Sequence, residues 1–183
     1  MINRWIYTAH LLLFVALPGQ AGEVIEASVE HKDKRYFVSL DVLIDADSKV
    51  VYDALTNFNN LSTINPAVTS SNLVYSLSDT QHRVEVNLEA CITYFCKKLV
   101  QVQDVEELPG NLILTTVVPE KSDFDYAHGR WKVTSEQGRT RVTFDSDLKP
   151  AFWVPPLIGP LLIEKKLRDE ALAVVDGLEQ LTR

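Results

Sequence analysis

The densest group of ionisable and aromatic side chains lies in one segment, which reads Asp-Phe-Asp-Tyr-Ala-His-Gly-Arg-Trp over residues 123–131. An imidazole can act as a general base when a carboxylate orients it, and a phenol can exchange a proton with a bound substrate. Asp125, Tyr126 and His128 are therefore the candidate acid–base residues. Groupings of this kind are also common on solvated strands, so a non-catalytic strand is the favoured interpretation.

Strand geometry decides which of these side chains share a face, because successive side chains of a strand point to opposite sides. The pattern separates one set, Phe124, Tyr126, His128 and Arg130, from a second set, Asp125, Ala127, Gly129 and Trp131. Trp131 and Val133 favour the second set as the inward one. A bulge at Gly129 would reverse the assignment, so the sequence leaves the inward face open.

Sequence motifs for hydrolysis, nucleotide binding and metal binding are absent. The chain contains no G-x-S-x-G, G-x-x-x-x-G-K, G-x-G-x-x-G or H-E-x-x-H pattern and no calcium-binding loop. His31 and His82 stand alone and are predicted to be surface residues, and Glu106 and Glu107 fit solvated charge at a strand end. We therefore predict no cofactor and no metal site, and enzymatic activity is the weaker alternative.

Cys91 and Cys96 are the only cysteines of the chain. Their spacing is not C-x-x-C, which weakens a redox role, and no histidine or further cysteine stands at ligand spacing for zinc. The stretch from His82 to Leu108 has no glycine or proline, yet strands seldom exceed about 10 residues, so it must hide a turn. A loop over 92–95 would set the cysteines opposite each other, which favours a disulfide over free thiols or a redox pair.

The first 21 residues have the pattern of a secretory signal. Arg4 gives a positive start, an apolar stretch follows from Trp5 to Leu17, and small residues lead to a cleavage site after Ala21. The apolar run is shorter than the roughly 20 residues of a membrane-spanning helix and contains a histidine, so an uncleaved anchor is the weaker alternative. We expect residues 1–21 to be removed and the protein to be exported, most simply to a periplasm, where a disulfide can persist.

Composition describes one acidic globular domain. The 183 residues are 46% hydrophobic and 23% charged, which fits a packed core, and no repeat or low-complexity stretch divides them. The 18 Lys and Arg against 25 Asp and Glu give a net charge of −7, which disfavours nucleic acid as a partner. We expect residues 22–183 to form a single domain. The sequence leaves its oligomeric state open.

Hydrophobic periodicity predicts an α+β fold. A β-type stretch lies within Glu23–Ile44. A short helix begins at residues 45–48, where an Asp or Ser side chain can accept hydrogen bonds from the free amides of the first turn. A second brief helix or turn covers Leu61–Pro66, and alternating strands run from Asn72 to Lys149. An apolar stripe then predicts a helix from about Leu161 to Leu181. One sheet and one long helix, each with a face to bury, would pack into two layers.

Several segments resemble the START-like or Bet v 1-like superfamily, the polyketide cyclase and dehydrase group. The strand end Val42-Leu43-Ile44-Asp45-Ala46, the helix phrase Leu55-Thr56-Asn57-Phe58 and the Asn65-Pro66 step are similar to its coenzyme-Q-binding branch. The resemblance covers roughly residues 35–182. It implies a helix-grip fold, in which a curved antiparallel sheet of about six or seven strands wraps a long C-terminal helix, with two short helices after the first strand.

The same resemblance implies an apolar cavity between the sheet and the terminal helix, which holds a lipid, an isoprenoid quinone, a sterol or a polyketide. The side chains expected to line it are Phe124, Tyr126, Trp131, Phe144, Phe152, Trp153, Leu157 and Leu161. An export signal does not fit the superfamily's cytosolic members that act on respiratory quinone or ribosomes. We therefore expect an exported binding or transfer protein rather than one with either of those roles.

An uncharged, proline-rich segment over Phe152–Ile163 precedes the predicted helix. It is interpreted as a buried corner or as a cavity rim in transient contact with a membrane, because contiguous exposed apolar patches mark interaction sites. Trp153 offers a large apolar contact with a polar handle. Two further alternatives remain open: a cyclase-like or dehydratase-like enzyme acting on an apolar substrate, and a docking module that binds a membrane or protein without a cavity ligand.

Overall fold

The computed structural model describes residues 22–92, 95–154 and 159–181. Eight strands and two α-helices account for most of this length, and single 3₁₀ turns lie at Leu61–Thr63 and Pro119–Lys121. The elements in chain order are β1 (Glu23–Lys32), β2 (Arg35–Ile44), α1 (Ser48–Leu55), β3 (Val68–Ser76), β4 (Gln81–Ile92), β5 (Phe95–Leu108), β6 (Leu112–Val117), β7 (Phe124–Glu136), β8 (Arg139–Pro150) and α2 (Gly159–Gln180).

The strands form one antiparallel sheet in the order β1-β2-β8-β7-β6-β5-β4-β3. This arrangement confirms the predicted α+β class, with a long antiparallel sheet and a C-terminal helix. The segment between β2 and β3, which contains α1, carries the chain from one side of the sheet to its far edge. Every other connection between strands is a hairpin or a short link. Helix α2 follows β8 and lies across one face of the sheet.

The predicted strand count of six or seven was wrong, because the described chain holds eight strands. The stretch interpreted as one β segment is split into β1 and β2 by a tight turn at Asp33 and Lys34, whose φ angles are 53° and 64°. Two-residue hairpin turns need positive φ values, and glycine or asparagine usually occupies these positions. The Asp33-Lys34 pair contains neither residue, so the sequence did not indicate a turn here. The short helices therefore follow the second strand, and the second of them is only a 3₁₀ turn.

Two local predictions are confirmed by the backbone. The Asp47 carboxylate accepts a hydrogen bond of 2.8 Å from the Lys49 amide and so caps α1 at its N-terminus. The turn hidden between His82 and Leu108 lies where expected, since β4 pairs with β5 and Cys91 stands opposite Cys96. Alternation, capping chemistry and maximum strand length were sufficient to locate both features.

The sheet has an apolar inner face and a charged outer face. The buried inner side chains include Leu40, Val42, Val84, Val133 and Val142, each no more than 3% exposed. On the outer face, ion pairs cross between neighbouring strands, among them Arg35–Asp147, Arg83–Asp104 and Arg141–Asp41. The inner face therefore supplies the hydrophobic driving force, and the outer face is solvated.

Helix α2 is closely packed on the sheet near its C-terminal end. Val174, Val175 and Leu178 are buried in the main core. At Gly177 a Cβ atom would lie 2.3 Å from the Ile64 carbonyl oxygen, so only glycine permits this approach to the segment after α1. No helix in the described ranges 22–92, 95–154 and 159–181 is long and apolar enough to cross a membrane.

We expect Gly177→Ala to lower the free energy of unfolding by about 1–3 kcal/mol, because overpacking against backbone costs that amount. The helix itself would gain up to about 1 kcal/mol from the same change, so the sign of the effect isolates the contact with Ile64. Asp176→Ala, at an exposed neighbouring position, is the control. Urea denaturation measures both variants, and a Gly177→Ala protein more stable than the wild type would contradict the contact.

Candidate functional site

A cavity of about 320 Å³ lies between the inner face of the sheet and α2. The sheet contributes side chains from β2 and from β4 to β8, and α2 contributes the face that carries Leu167, Ala171 and Val174. Phe58, Leu61 and Ile64 from the segment between α1 and β3 close one side, together with Val68 at the start of β3. Most lining side chains are aliphatic or aromatic, as in typical binding sites for apolar small molecules.

Small side chains in the middle of the sheet create this space. Directly paired residues form an inward row across five strands, Val38–Ser146–Gly129–Thr115–Val105, and its three central members are glycine, serine and threonine. A Cβ atom on Gly129 would lie 2.5 Å from the Thr115 hydroxyl oxygen. Large residues in this row would fill the volume that the cavity occupies.

The neighbouring row provides an aromatic floor. Trp131 and Phe144 stand opposite each other on β7 and β8, and their rings stack with centroids 4.0 Å apart and an interplanar angle of 25°. Both side chains line the cavity and are only partly buried. A stacked aromatic pair of this kind gives a flat, rigid contact surface for an apolar ligand.

A bulge at Asp125 decides which side chains of β7 face the cavity. Phe124 pairs with Pro150 and Tyr126 with Lys149, so Asp125 is an extra residue on β7. As a result Phe124 points inward together with Ala127, Gly129 and Trp131, while Tyr126 and His128 point outward. The sequence left the inward face open between the two sets; the structure places Trp131 inward and adds Phe124 to the same face, and the irregularity lies at Asp125 rather than at Gly129.

The candidate acid–base residues do not converge inside the cavity. Asp125 forms an ion pair of 2.8 Å with Lys149, and the Tyr126 ring lies under the Arg35 guanidinium at 4.4 Å. The His128 ring borders the Thr116 hydroxyl, with its Nδ1 3.2 Å from Oγ1, and is exposed. The backbone of β7 at His128 borders the cavity, but the His128 imidazole lies on the outer face. The structure therefore does not support Asp125, Tyr126 and His128 as acid–base residues of the cavity.

The predicted lining residues have different positions. Phe124, Trp131 and Phe144 line the cavity. Tyr126 lies on the outer face, and Phe152 is half-buried against a small cluster around Leu99 and Phe124, with the Lys97 ammonium 4.7 Å from its ring centre. Trp153 and Leu161 are 78% and 70% exposed and do not line the cavity. Leu157 lies outside the described residues.

Two charged side chains of α2 also border the cavity. Lys166 and Glu170, one helical turn apart, form an ion pair in which their side chains are 28% and 21% exposed. The Lys166 ammonium contacts Oε1 of Glu170, whereas Oε2 is buried and has no hydrogen-bond partner in the described part of the chain. On β5 the side-chain amide Nε2 of Gln101 donates to the side-chain oxygen Oε1 of Gln103 at 2.8 Å. These groups give an otherwise apolar cavity a few fixed polar contacts.

Cys91 and Cys96 form a disulfide at the end of the β4–β5 hairpin. Together with Glu89 they are close enough to resemble a metal-ligating group. Sulfurs joined in a disulfide offer no thiolate, and metal binding by cysteine requires the thiolate. The pair is therefore a structural link between neighbouring strands, as the spacing predicted.

Sequence analysis missed a polar cluster beneath α1. The Tyr52 hydroxyl donates to Oε2 of Glu107 at 2.6 Å, and His82 Nε2 lies 3.2 Å from Oε1 of the same carboxylate. The His82 ring also packs on Phe58 at 5.2 Å. The predicted surface position of His82 and the solvated strand end at Glu107 were therefore wrong, since the two side chains are only 12% and 20% exposed.

This cluster fixes the protonation state of Tyr52. Burial, and then the hydrogen bond to Glu107, raise the pKa of the Tyr52 phenol well above its ordinary value. Burial similarly raises the pKa of Tyr36, beside the negative charge of Glu164. Tyr52 therefore acts as a neutral donor that ties α1 to the sheet next to the cavity wall formed by Phe58. A hydrophobic helix pattern gave no indication of this tie, because the partner lies 55 residues away.

Comparison with known proteins identifies relatives for this arrangement. The family model described as polyketide cyclase / dehydrase and lipid transport matches residues 44–173. None of the curated proteins matches the chain. Among solved structures, similar folds include the Zhui aromatase/cyclase from Streptomyces sp. R1128, with 13% identity, a TM-score of 0.67 and coverage of 80% of this chain and 92% of that chain.

Two further similar structures come from other bacteria. A STAR-related lipid transfer protein from Xanthomonas axonopodis has 16% identity and a TM-score of 0.63 over 88% of this chain and all of that chain (100%). A START superfamily protein from Mycobacterium smegmatis has 20% identity and a TM-score of 0.64 over 80% of this chain and 99% of that one. At these identities the likeness establishes the fold.

The tie between Tyr52 and Glu107 predicts a loss of stability at high pH. A raised folded-state pKa means that the stabilisation is complete below the unfolded tyrosine pKa of about 10 and is lost as the pH rises above it. We expect Tyr52→Phe to cost about 1 kcal/mol near neutral pH and to show a smaller decline in stability between about pH 9.5 and 11. Urea denaturation across this range measures both, and parallel pH profiles for the two proteins would contradict the role given to the hydrogen bond.

Proposed function

This chain belongs to the polyketide cyclase / dehydrase and lipid transport family, and on that premise we propose that it is an exported protein that binds and carries an apolar small molecule or lipid. The observation that carries the proposal is the apolar cavity between α2 and the Trp131–Phe144 floor. Its volume of about 320 Å³ is at the lower end of the range of about 300–1,000 Å³ for ligand sites. The ligand is therefore small or only partly enclosed.

The lining supports a proposal for the class of ligand. An isoprenoid-quinone-like, sterol-like or polyketide-like molecule presents an apolar body with few polar groups, which matches aliphatic walls, an aromatic floor and a few fixed polar contacts. The resemblance of residues 42–66 to the coenzyme-Q-binding branch favours an isoprenoid chain.

Export is supported by the sequence of residues 1–21, which lie outside the described residues, and by the disulfide of Cys91 and Cys96. Disulfides persist in oxidising compartments and are rare where thiols are kept reduced. In our proposal the signal is cleaved after Ala21, and residues 22–183 act as one domain in the periplasm.

A transport role is favoured over catalysis. Asp125, Tyr126 and His128 are the residues that an enzymatic role would have used, and their side chains lie on the outer face or in ion pairs there. A general base must reach the proton that it removes, and these groups do not face the enclosed volume.

Delivery of an apolar ligand requires contact with its source. Trp153 and Leu161 are among the most exposed large hydrophobic side chains of the described residues, and both lie within the uncharged segment Phe152–Ile163, which precedes and begins α2. In our proposal Phe152–Ile163 touches the membrane transiently while the ligand enters or leaves, because exposed apolar patches of this type mark interaction surfaces.

Filling the cavity tests the binding role. Ala171→Phe places a ring in the enclosed volume, whereas Ala173→Phe adds the same ring to α2 at a position that does not line the cavity. We expect Ala171→Phe to weaken binding of the apolar dye N-phenyl-1-naphthylamine at least tenfold and Ala173→Phe to leave it within about twofold. Fluorescence titration with circular dichroism as the folding check measures this, and equal binding by both variants would exclude the cavity as the site.

Removing the exposed indole tests the membrane contact. We expect Trp153→Ala to reduce association with phosphatidylcholine vesicles about tenfold, because a buried aromatic side chain contributes roughly 1.5–3 kcal/mol, while dye binding stays unchanged. Leu77→Ala is the matched control, since Leu77 is 66% exposed just after β3. Vesicle co-flotation measures the association. If Trp153→Ala and Leu77→Ala behave alike, the segment over Phe152–Ile163 is not the contact surface.

A further inference from the structure

Helix α2 carries two ion pairs of the same spacing in different surroundings. Lys165 and Asp169 face solvent, with side chains 73% and 53% exposed. Lys166 and Glu170 lie one position further along the helix and border the cavity. Their side chains are only 28% and 21% exposed. Solvent-exposed pairs of this spacing are common on helices and contribute only about 0.3–0.5 kcal/mol. The second pair is unusual because it takes charge into an apolar enclosure.

The Glu170 carboxylate is only half satisfied by the protein. Its Oε1 receives the Lys166 ammonium, while Oε2 is buried and has no hydrogen-bond partner in the described ranges. Leaving such a group without a partner costs about 1–3 kcal/mol, and more when it is charged. Among residues 22–92, 95–154 and 159–181 no donor reaches Oε2, so a molecule that occupies the cavity can supply its hydrogen bond.

The chemistry of this pair selects among apolar ligands. A hydroxyl group can donate to Oε2 and accept from the Lys166 ammonium. An ether can accept but cannot donate, and a fatty-acid carboxylate would bring a negative charge against Glu170 without offering a hydrogen. Resting on the carrier role above, we propose that Lys166 and Glu170 form a polar subsite that selects an apolar ligand ending in an alcohol or phenol hydroxyl.

The experiment compares three ligands that share a twelve-carbon chain: 1-dodecanol, 1-methoxydodecane and dodecanoate. It measures their dissociation constants, by displacement of N-phenyl-1-naphthylamine, for the wild type, Glu170→Gln and Asp169→Asn. The last variant removes the carboxylate of the solvent-facing Lys165–Asp169 pair, which has the same spacing, and is the matched control. Circular dichroism verifies that each variant is folded.

We expect the wild type to bind the alcohol about ten- to one-hundred-fold more tightly than the ether, which is the usual effect of a hydrogen bond to a charged group. Glu170→Gln should reduce that preference to a few-fold and improve binding of dodecanoate, whereas Asp169→Asn should match the wild type. Equal binding of all three ligands, or an unchanged preference in Glu170→Gln, overturns the subsite and leaves the carrier role intact. Failure to bind the dye or any of the three ligands overturns the carrier role as well.

Discussion

The structure depends on how helix α2 is seated on the sheet. Near its C-terminal end, Gly177 brings the helix against Ile64, and Val174, Val175 and Leu178 complete the main core. Nearer its N-terminal end, Lys166, Leu167, Glu170 and Ala171 border enclosed volume. A helix of 22 residues is about 33 Å long, so one end can anchor it firmly while the other covers a cavity. Burial at the anchored end stabilises the domain, and incomplete filling at the other end provides the binding site.

The two faces of the sheet, and the rows within its inner face, allow α2 to be anchored at one end and to cover a cavity at the other. Most hydrophobic burial is on the inner face, where the row through Gly129 has small residues at its centre and the next row has the stacked Trp131 and Phe144. Protein interiors are normally packed without large voids. A cavity is retained here because the small residues lie in the middle of a rigid antiparallel ladder, which cannot move inward to close the gap.

The sequence predicted most of the framework and part of the site. Alternation, the Asp47 cap, the hidden turn beside Cys91 and the stripe of α2 come from local chemistry, and the structure has all of them. The Asp33–Lys34 turn escaped prediction because it lacks the residues that usually adopt positive φ. The bulge at Asp125 escaped because it depends on how β7 meets β8, and no single strand contains that information.

Contacts between distant segments account for the rest. Tyr52 and Glu107 lie 55 residues apart, and the half-satisfied Glu170 is recognisable only once α2 is placed over the cavity. Helical periodicity does not single out Lys166 and Glu170, because a 3.6-residue pattern distinguishes apolar from charged positions and cannot show a charge that borders an enclosed space. The features on which the proposed subsite depends therefore become visible only in the folded chain.

The central claim is that an apolar ligand binds between α2 and the stacked Trp131 and Phe144. Fluorescence of Trp131 tests it most directly. Replacing Trp5 and Trp153 by phenylalanine leaves Trp131 as the sole indole of the chain, and titration with 1-bromododecane brings a short-range quencher into the cavity. We predict saturable quenching that Ala171→Phe suppresses. Unquenched Trp131 emission at ligand concentrations that displace N-phenyl-1-naphthylamine from the same variant would contradict the claim.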